Sequence, residues 1–263
     1  MYDEMRNSDG GWVDFRDFRV VKKEVESDVI TSFYLQPADG KAIPSYKPGQ
    51  YITVKAEVPD VPYNQLRHYS LSCAPRADFY RISVKREDAT ADYPKGFVSS
   101  FLHNNIEEGS VLPISAPAGD FFLDQQDTRP LVLISGGVGL TPMISMLETT
   151  IQNQSEREII YIHAARSGKF HAMKDRVDEI VSKHNNVKKI TIYDNPAEGE
   201  QYDKQGYIDQ EWLSTVLPTS DAAFYFCGPK GFMRAVNKHL KALNVKDTDI
   251  HFEIFGPAED ITQ

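Results

Sequence analysis

Residues 131–147 read LVLISGGVGLTPMISML, and this stretch decides the fold. Apolar and small residues at 131–135 run into the glycine-rich turn 136–139, and apolar side chains recur at helical spacing after it. The pattern predicts a strand, a tight turn and a helix.

Such a turn can bind an anion. Glycine lets the backbone approach a ligand closely, and a helix start offers unpaired N–H groups with a partial positive charge. The natural ligand is a dinucleotide pyrophosphate, with Pro142 tolerated in the first turn and Thr141 available to cap the helix or donate to phosphate. An ordinary strand-to-helix turn is the alternative.

Composition limits the classes of function. The 263 residues are 41% hydrophobic and 25% charged, as in a soluble globular protein of two domains. A net charge of -9 argues against nucleic acid as a partner. No apolar run could span a membrane and no signal peptide is present, which predicts a cytoplasmic protein. Two cysteines exclude a disulfide framework and a four-cysteine iron–sulfur or zinc site, and no metal site is predicted.

The two halves of the chain have different periodicities. Short β-like runs at 18–21, 30–35, 51–56, 68–73, 80–85 and 111–115, with one helix at 98–104, predict an antiparallel barrel over residues 11–124. After a linker at 125–129, strands at 131–134, 159–164, 189–193, 223–226 and 250–255 alternate with helices at 143–152, 173–182, 210–216 and 232–243. This alternation predicts a doubly wound parallel-sheet domain over 129–263, with ligands at the carboxyl ends of its strands.

The run RHYS at 67–70 is the main candidate site in the first half. On a strand, Arg67 and Tyr69 point to one face, and His68 and Ser70 to the other. A guanidinium, a phenol and a hydroxyl suit the pyrophosphate, the ring system and a ring nitrogen of a flavin dinucleotide. A surface arginine on a barrel strand is the alternative.

A second anion site is predicted at residues 96–100, where glycine and serines open the helix of the first half. An ordinary helix cap is equally consistent with this motif. Anion sites in two successive domains predict two nucleotide ligands.

Seven short motifs together resemble one family. They are PGQY at 48–51, RHYS at 67–70, GFVS at 96–99, APAGDFF at 116–122, GGVGLTPM at 136–143, CGP at 227–229 followed by FM at 232–233, and EIFGP at 253–257. In this order they resemble the ferredoxin-NADP reductase superfamily and, within it, the reductase portion of flavohaemoglobins (nitric oxide dioxygenases). The resemblance covers about residues 11–257. It implies an antiparallel FAD-binding β-barrel followed by a doubly wound nucleotide-binding domain.

The resemblance also implies the residues that bind FAD. Arg67 would bind the pyrophosphate, Tyr69 would pack on the isoalloxazine, and Ser70 would hydrogen-bond near N5. Further cofactor-binding residues on the barrel domain are Tyr51, His68, Gly96, Val98 and Ser99. His68 stands where relatives often have glutamine.

For the nicotinamide dinucleotide, the family pattern implies a cradle made of Gly136, Gly137, Val138, Gly139, Leu140 and Thr141. The nicotinamide would approach Cys227, Gly228 and Pro229. On the last strand, Phe255 would cover the other flavin face and Glu253 would influence the flavin potential, flanked by Ile254, Gly256 and Pro257. Ser70, Glu253 and Phe255 are the predicted catalytic residues.

The function implied is a flavin-dependent NAD(P)H oxidoreductase, with FAD and NADH as cofactors and NADPH as an alternative donor. It passes hydride to FAD and then single electrons to the haem of a globin domain or of a separate haem protein. The alternative is a nucleotide-binding electron-transfer or regulatory subunit without turnover. The short polar segment before Gly11 predicts a reductase piece or a free-standing relative, without haem or nitric oxide dioxygenase activity of its own.

Three other residues admit two interpretations. We expect His163 to be a packed histidine rather than a base, because hydride transfer to flavin needs no protein nucleophile. Cys227 is either a packed thiol or a cofactor contact. Arg166 could meet a 2′-phosphate, but a solvated loop arginine is the preferred interpretation.

Overall fold

A computed structural model describes residues 8–91 and 94–256. The chain forms two compact units, Met1–Phe122 and Leu123–Gln263. Within the described residues, no helix is long and apolar enough to cross a membrane.

The first unit is an antiparallel sheet of six described strands. They are β1 (Arg16–Val25), β2 (Ile30–Pro37), β3 (Tyr51–Ala56), β4 (Gln65–Ser70), β5 (Tyr80–Lys85) and β6 (Val111–Ile114). The order β4-β3-β6-β1-β2-β5 makes β4 and β5 the two edges. These edges meet just past the end of β4, where Leu71 pairs with Ile82. The predicted barrel therefore closes at that end.

Alternating apolar residues of the strands fill the barrel. Phe18, Phe33 and Ile52 belong to a cluster that is almost completely buried. Helix α1 (Phe97–Asn105) adds Val98 and Leu102 to this cluster. Gly96, in an extended conformation, is the N-cap residue that precedes this helix.

The second unit is a parallel sheet with helices. Its strands are β7 (Leu131–Gly136), β8 (Ile159–Ala165), β9 (Val187–Tyr193), β10 (Lys204–Gln205), β11 (Ala223–Cys227) and β12 (Ile250–Glu253). Its helices are α2 (Leu140–Asn153), α3 (Lys174–Lys183), α4 (Gln210–Val216) and α5 (Lys230–Ala242). The order is β10-β9-β8-β7-β11-β12, with every neighbouring pair parallel.

The strand order reverses beside β7, because β8 lies on one side of it and β11 on the other. In doubly wound sheets this switch point is where ligands bind, at the carboxyl ends of the strands. The fold therefore directs attention to the turn that follows β7.

The predicted fold class is confirmed, with shifts at the element ends. β4 begins at Gln65 and ends at Ser70, whereas residues 68–73 were expected; its exposed first half lacks the apolar alternation that marks a strand. The last strand ends at Glu253, two residues before Phe255. The two-residue strand β10 was not predicted, because it is too short to show a period.

Side chains of the predicted linker at 125–129 form hydrogen bonds and ion pairs with other parts of the second unit. Asn153 Nδ2 donates to Gln125 Oε1 at 2.9 Å, and Arg129 pairs with Asp127, at 2.7 Å, and with Asp249, at 3.0 Å. These polar side chains hold the segment to the rest of the second unit.

Candidate functional site

Strand β4 carries the candidate site of the first unit. Residues paired in register on neighbouring strands point to the same face. Arg67 pairs with Val54, and His68 pairs with Thr53. Arg67 and Tyr69 therefore share one face, and His68 and Ser70 the other, as the sequence predicts.

Arg67 and Tyr69 offer a charge beside a flat ring. The exposed Arg67 guanidinium donates through Nη1 to the Leu66 carbonyl oxygen at 2.8 Å. Tyr69 is half-buried against the barrel core, and this burial raises the pKa of its hydroxyl. The neutral ring thus lies on the same face as a cation that can pair with phosphate.

His68 and Ser70 lie on the opposite face of β4. His68 Nδ1 is 2.8 Å from Thr53 Oγ1, its ring centroid is 4.6 Å from that of Tyr51, and burial lowers its pKa. Gly119 leaves room for Tyr51, because a Cβ there would lie 2.9 Å from the Tyr51 ring. Ser70 is buried at the end of β4. A ligand on the Arg67 face could therefore meet Ser70 only where the strand ends.

The start of α1 is the second feature of this unit. Gly96 precedes the helix, and no side chain of the described residues caps it with a hydrogen bond. Ser99 Oγ accepts the Glu87 N–H at 3.1 Å and donates to the Gly96 carbonyl oxygen at 3.2 Å, while Val98 is buried in the core. A phosphate here would meet backbone N–H groups, because the serine hydroxyl already ties the helix to the segment after β5.

In the second unit, the turn between β7 and α2 has one open glycine. Gly137 has φ +53°, a conformation that favours glycine, and a Cβ placed on it would have no protein atom within 4 Å. Gly137 opens a 3₁₀ turn, Gly137–Gly139, that leads directly into α2, and the Leu140 N–H donates back to the Gly137 and Val138 carbonyl oxygens. The space beside Gly137 therefore lies at the start of this turn. This position fits a phosphate group that approaches the backbone closely.

The other glycines of the motif serve packing. A Cβ on Gly139 would lie 2.2 Å from the Cys227 carbonyl oxygen. A Cβ on Gly136 would lie 3.1 Å from Pro229 Cδ, and one on Gly228 would lie 2.7 Å from the Phe232 ring. These glycines allow α2, β7 and β11 to approach each other at the switch point.

Thr141 does not cap α2. Its Oγ1 donates to the Val138 carbonyl oxygen at 3.1 Å, within the turn. Leu140 is fully buried. Within this motif, the backbone around Gly137 and Val138 is the part that is left for a ligand.

A polar row crosses the sheet just below the strand ends. Each residue of this row pairs in register with the next one on the neighbouring strand, so all of them share one face of the sheet. The row consists of Thr191, His163, Ser135, Cys227 and Glu253. Cys227 is fully buried, and burial, with the nearby Glu253 carboxylate, raises its pKa. Cys227 is thus a neutral packed thiol at the place predicted for the nicotinamide approach.

The two histidines of this face were not predicted to interact. His163 Nδ1 is 2.8 Å from Ser135 Oγ, and the rings of His163 and His171 are 4.5 Å apart. His171 Nδ1 is 2.8 Å from the Tyr193 hydroxyl. Burial lowers the pKa of His163 to about 4, which fits the expected packed histidine. The sequence signal for this network is the serine that ends an otherwise apolar strand.

The C-terminal motif follows β12. Ile254 is half-buried, Phe255 is 41% exposed and Gly256 is exposed. Phe255 was expected on the last strand and instead follows it, so its backbone lies beyond the paired residues of β12. Pro257 lies outside the described residues.

Comparisons with known proteins agree with these features. Residues 133–238 match the family model described as the oxidoreductase NAD-binding domain. The chain is 42% identical to the solved flavohaem-like FAD/NAD-binding domain of nitric oxide dioxygenase from Vibrio cholerae O1 biovar El Tor. The structural match covers 93% of this chain and 100% of the Vibrio cholerae domain, with a TM-score of 0.85. The chain belongs to the flavohaemoprotein family of FAD/NAD-binding oxidoreductase domains.

Two further relatives define the extent of the match. The flavohaemoprotein of Oceanobacillus iheyensis is 56% identical over 263 residues, which are 100% of this chain and 64% of that protein. A flavohaemoglobin from Malassezia yamatoensis, solved with bound FAD and haem, is 26% identical with a TM-score of 0.83 and matches 97% of this chain and 63% of its own. This flavohaemoprotein-type domain therefore spans less than two thirds of those relatives.

These matches confirm the predicted family, the class of flavin- and nicotinamide-dependent oxidoreductases, and FAD and NAD as the cofactors of that class. The individual residue assignments stay predictions, which the geometry above refines.

Proposed function

We propose that this chain passes a hydride from NADH to FAD and then single electrons to a haem acceptor. The acceptor is the globin domain of a flavohaemoprotein or a separate haem protein. We also propose that the protein is cytoplasmic.

The observation that carries the proposal is a glycine-bearing helix start in each unit, at α1 and at the turn that leads into α2, where the described residues provide no side-chain cap. Each helix start presents N–H groups without partners in the helix, which bind phosphate oxygens well. Two such sites, in units with different surrounding side chains, support two different dinucleotides.

In the first unit, Arg67 pairs with the FAD pyrophosphate and the start of α1 receives the same group. Tyr69 supports the flavin ring with the exposed part of its phenol. Ser70, at the end of β4, orients the ring edge through one hydrogen bond. Bound FAD supplies the ring system that accepts a hydride and releases electrons one at a time.

In the second unit, the backbone at Gly137 holds the NADH pyrophosphate. Gly228 and Pro229 shape the approach of the nicotinamide, and Cys227 packs beneath them. The thiol releases no proton, because its raised pKa keeps it protonated. These residues orient the two reacting rings and exclude water.

Phe255 acts as a mobile cover for the flavin, and Glu253 influences its potential. The partial exposure of Phe255, two residues beyond the end of β12, supports this role, because a partly exposed ring can both cover another ring and move aside. Catalysis requires the ring to move when the nicotinamide binds.

An absorption spectrum of the purified chain tests the proposal. Oxidised flavin bands that bleach with NADH under anaerobic conditions, and recover with ferricyanide, are expected. A protein that binds FAD but does not bleach would favour the alternative, a subunit without turnover. Addition of a ferric globin after bleaching tests the haem acceptor, and an unchanged haem spectrum would contradict that part.

A further inference from the structure

The two faces of the second sheet differ in polarity. On one face, Ile160 and Ile162 of β8 pack into an apolar cluster with side chains of α4 and α5. On the other face lies the polar row, in which Ser135 and His163 are almost completely buried. An apolar pair of the same shape would be about as stable there, because burial of polar groups offsets most of what their hydrogen bond contributes. Stability alone therefore does not explain the pair.

The hydrogen bond between His163 and Ser135 lies beside the turn that is proposed to hold the NADH pyrophosphate. His163 Nδ1 is 2.8 Å from Ser135 Oγ. Only Gly136 separates Ser135 from the open residue Gly137, and a glycine has no side chain to anchor the backbone. Ser135 is thus the last side chain that holds β7 in place before Gly137.

Two further side chains fix the orientation of the His163 ring. The centre of the His171 ring is 4.5 Å from that of His163, and His171 Nδ1 is 2.8 Å from the Tyr193 hydroxyl. Both of these side chains are buried. His163 Nε2 is also buried, and no residue that the structure describes forms a hydrogen bond with it. His163 therefore acts through Nδ1 and its contact with Ser135.

We propose that His163 is a positioning residue for the nicotinamide dinucleotide. Its Nδ1 atom holds Ser135, and Ser135 holds the backbone that receives the pyrophosphate at Gly137. Buried polar networks of this kind specify one arrangement of the groups around them. The inference rests on the proposed function, because it takes NADH to be the ligand of this turn. Since His163 touches neither reacting ring, its loss should weaken nucleotide binding and spare hydride transfer.

Two substitutions of His163 separate the hydrogen bond from the packing. In His163→Asn the side-chain amide reaches the place of Nδ1, because both groups lie two bonds from Cβ, and Ser135 keeps a partner. In His163→Gln the amide lies three bonds from Cβ, at the place of Nε2, and Ser135 loses its partner. Ser135→Ala removes the same hydrogen bond from the other side.

Two titrations of the FAD-loaded whole chain measure the effect. Calorimetry with ADP-ribose reports on the pyrophosphate site without the nicotinamide, and stopped-flow bleaching with NADH gives both an affinity and a limiting rate. For His163→Gln and Ser135→Ala we expect both Kd values to rise about five- to tenfold, the range that one buried hydrogen bond allows. The limiting rate should stay within about twofold of the parent, because the lost interaction acts on binding.

Three controls accompany these variants. His163→Asn should keep Kd values near those of the parent. The double variant His163→Gln with Ser135→Ala should lose no more affinity than either single variant, because both remove one interaction. Ile190→Val truncates a buried residue of the apolar face, so it should lower the melting temperature and leave both Kd values unchanged.

Three results would overturn the inference. One is parent affinity for both ligands in folded His163→Gln, and another is an equal loss in the Asn and Gln variants, which would indicate packing alone. The third is a lower limiting rate at unchanged affinity, which would place His163 in the chemistry. A parent chain that binds neither ADP-ribose nor NADH would contradict the proposed function itself, and the inference with it.

Discussion

The two candidate phosphate sites are built from different parts of the chain. In the first unit, the proposed site relies on the exposed side chain of Arg67 beside the start of α1, which the Ser99 hydroxyl ties in place. In the second unit, the proposed site relies on the backbone alone, because Gly137 is open while Gly139 lies against the Cys227 carbonyl. A side-chain site can be emptied without harm to the fold, whereas a backbone site is damaged by adding atoms.

The largest effect is expected for Gly139→Ala. The new Cβ would lie 2.2 Å from the Cys227 carbonyl oxygen, and neither α2 nor β11 can move away without losing its packing. Overpacking of this kind costs about 3 kcal/mol in the free energy of unfolding. Denaturant unfolding of the whole chain measures it.

Gly231→Ala is the matched control, because a Cβ on this residue of α5 meets no atom within 4 Å. Alanine is favoured over glycine in helices, so the control should gain about 0.5 to 1 kcal/mol. Equal stabilities of the two variants would show that Gly139 is not a packing glycine.

Acid should weaken the second unit through His163. Its pKa falls from 6.5 to about 4 on folding because it is buried, with Tyr161, His171 and Tyr193 on the same side of the sheet. The unfolded state therefore binds more protons, and the free energy of unfolding falls as pH drops from about 6.5 to about 4. At about 1.4 kcal/mol for each pH unit, the loss approaches about 3 kcal/mol.

The measurement is urea unfolding of the parent and of His163→Asn between pH 7.5 and pH 4. The variant should be less stable at neutral pH but should lose less stability in acid. If the free energy of unfolding falls equally with pH in the two proteins, His163 is not the cause of the acid sensitivity. His184→Asn, at the end of α3, controls for the loss of a histidine elsewhere in the unit.

Arg67→Ala should empty the side-chain site without unfolding its unit. A charge-assisted hydrogen bond to phosphate contributes about 1.5 to 3 kcal/mol, so FAD affinity should fall by about one to two orders of magnitude. Fluorescence titration of flavin-free protein with FAD measures this. Arg19→Ala, which removes an exposed arginine from β1, should keep the parent affinity, and FAD affinity equal to the parent in Arg67→Ala would exclude the assignment.

The sequence predicts the sheets and the faces of β4 because both follow from local periodicity. Strand β5 and helix α4 have the expected bounds, and Arg67 and Tyr69 share a face as alternation requires. These features depend on residues a few positions apart, which a single sequence displays directly.

Contacts between distant residues could not be predicted. Gly137 and Gly139 are both glycines of one motif, but their roles differ. The carbonyl of Cys227, which comes from another strand, packs against Gly139, whereas Gly137 is open. Glu200 reaches Gly168 across two loops, and no spacing in the sequence marks this pair. Polar residues at 125–129 suggested a linker because their partners on α2 and near β12 are remote in the chain.

Gly137→Ala should cost much less stability than Gly139→Ala and still disable the proposed backbone site. Alanine at φ +53° costs about 1 kcal/mol, and its Cβ enters the space where the phosphate is proposed to lie. NADH affinity, measured by calorimetry, should fall by at least about tenfold while FAD stays bound. Gly40→Ala carries the same kind of strain at φ +69° in open space of the first unit, so it should lose similar stability and keep its NADH affinity. If both variants bind NADH like the parent, the open glycine has no role in binding and the contrast between the two sites fails.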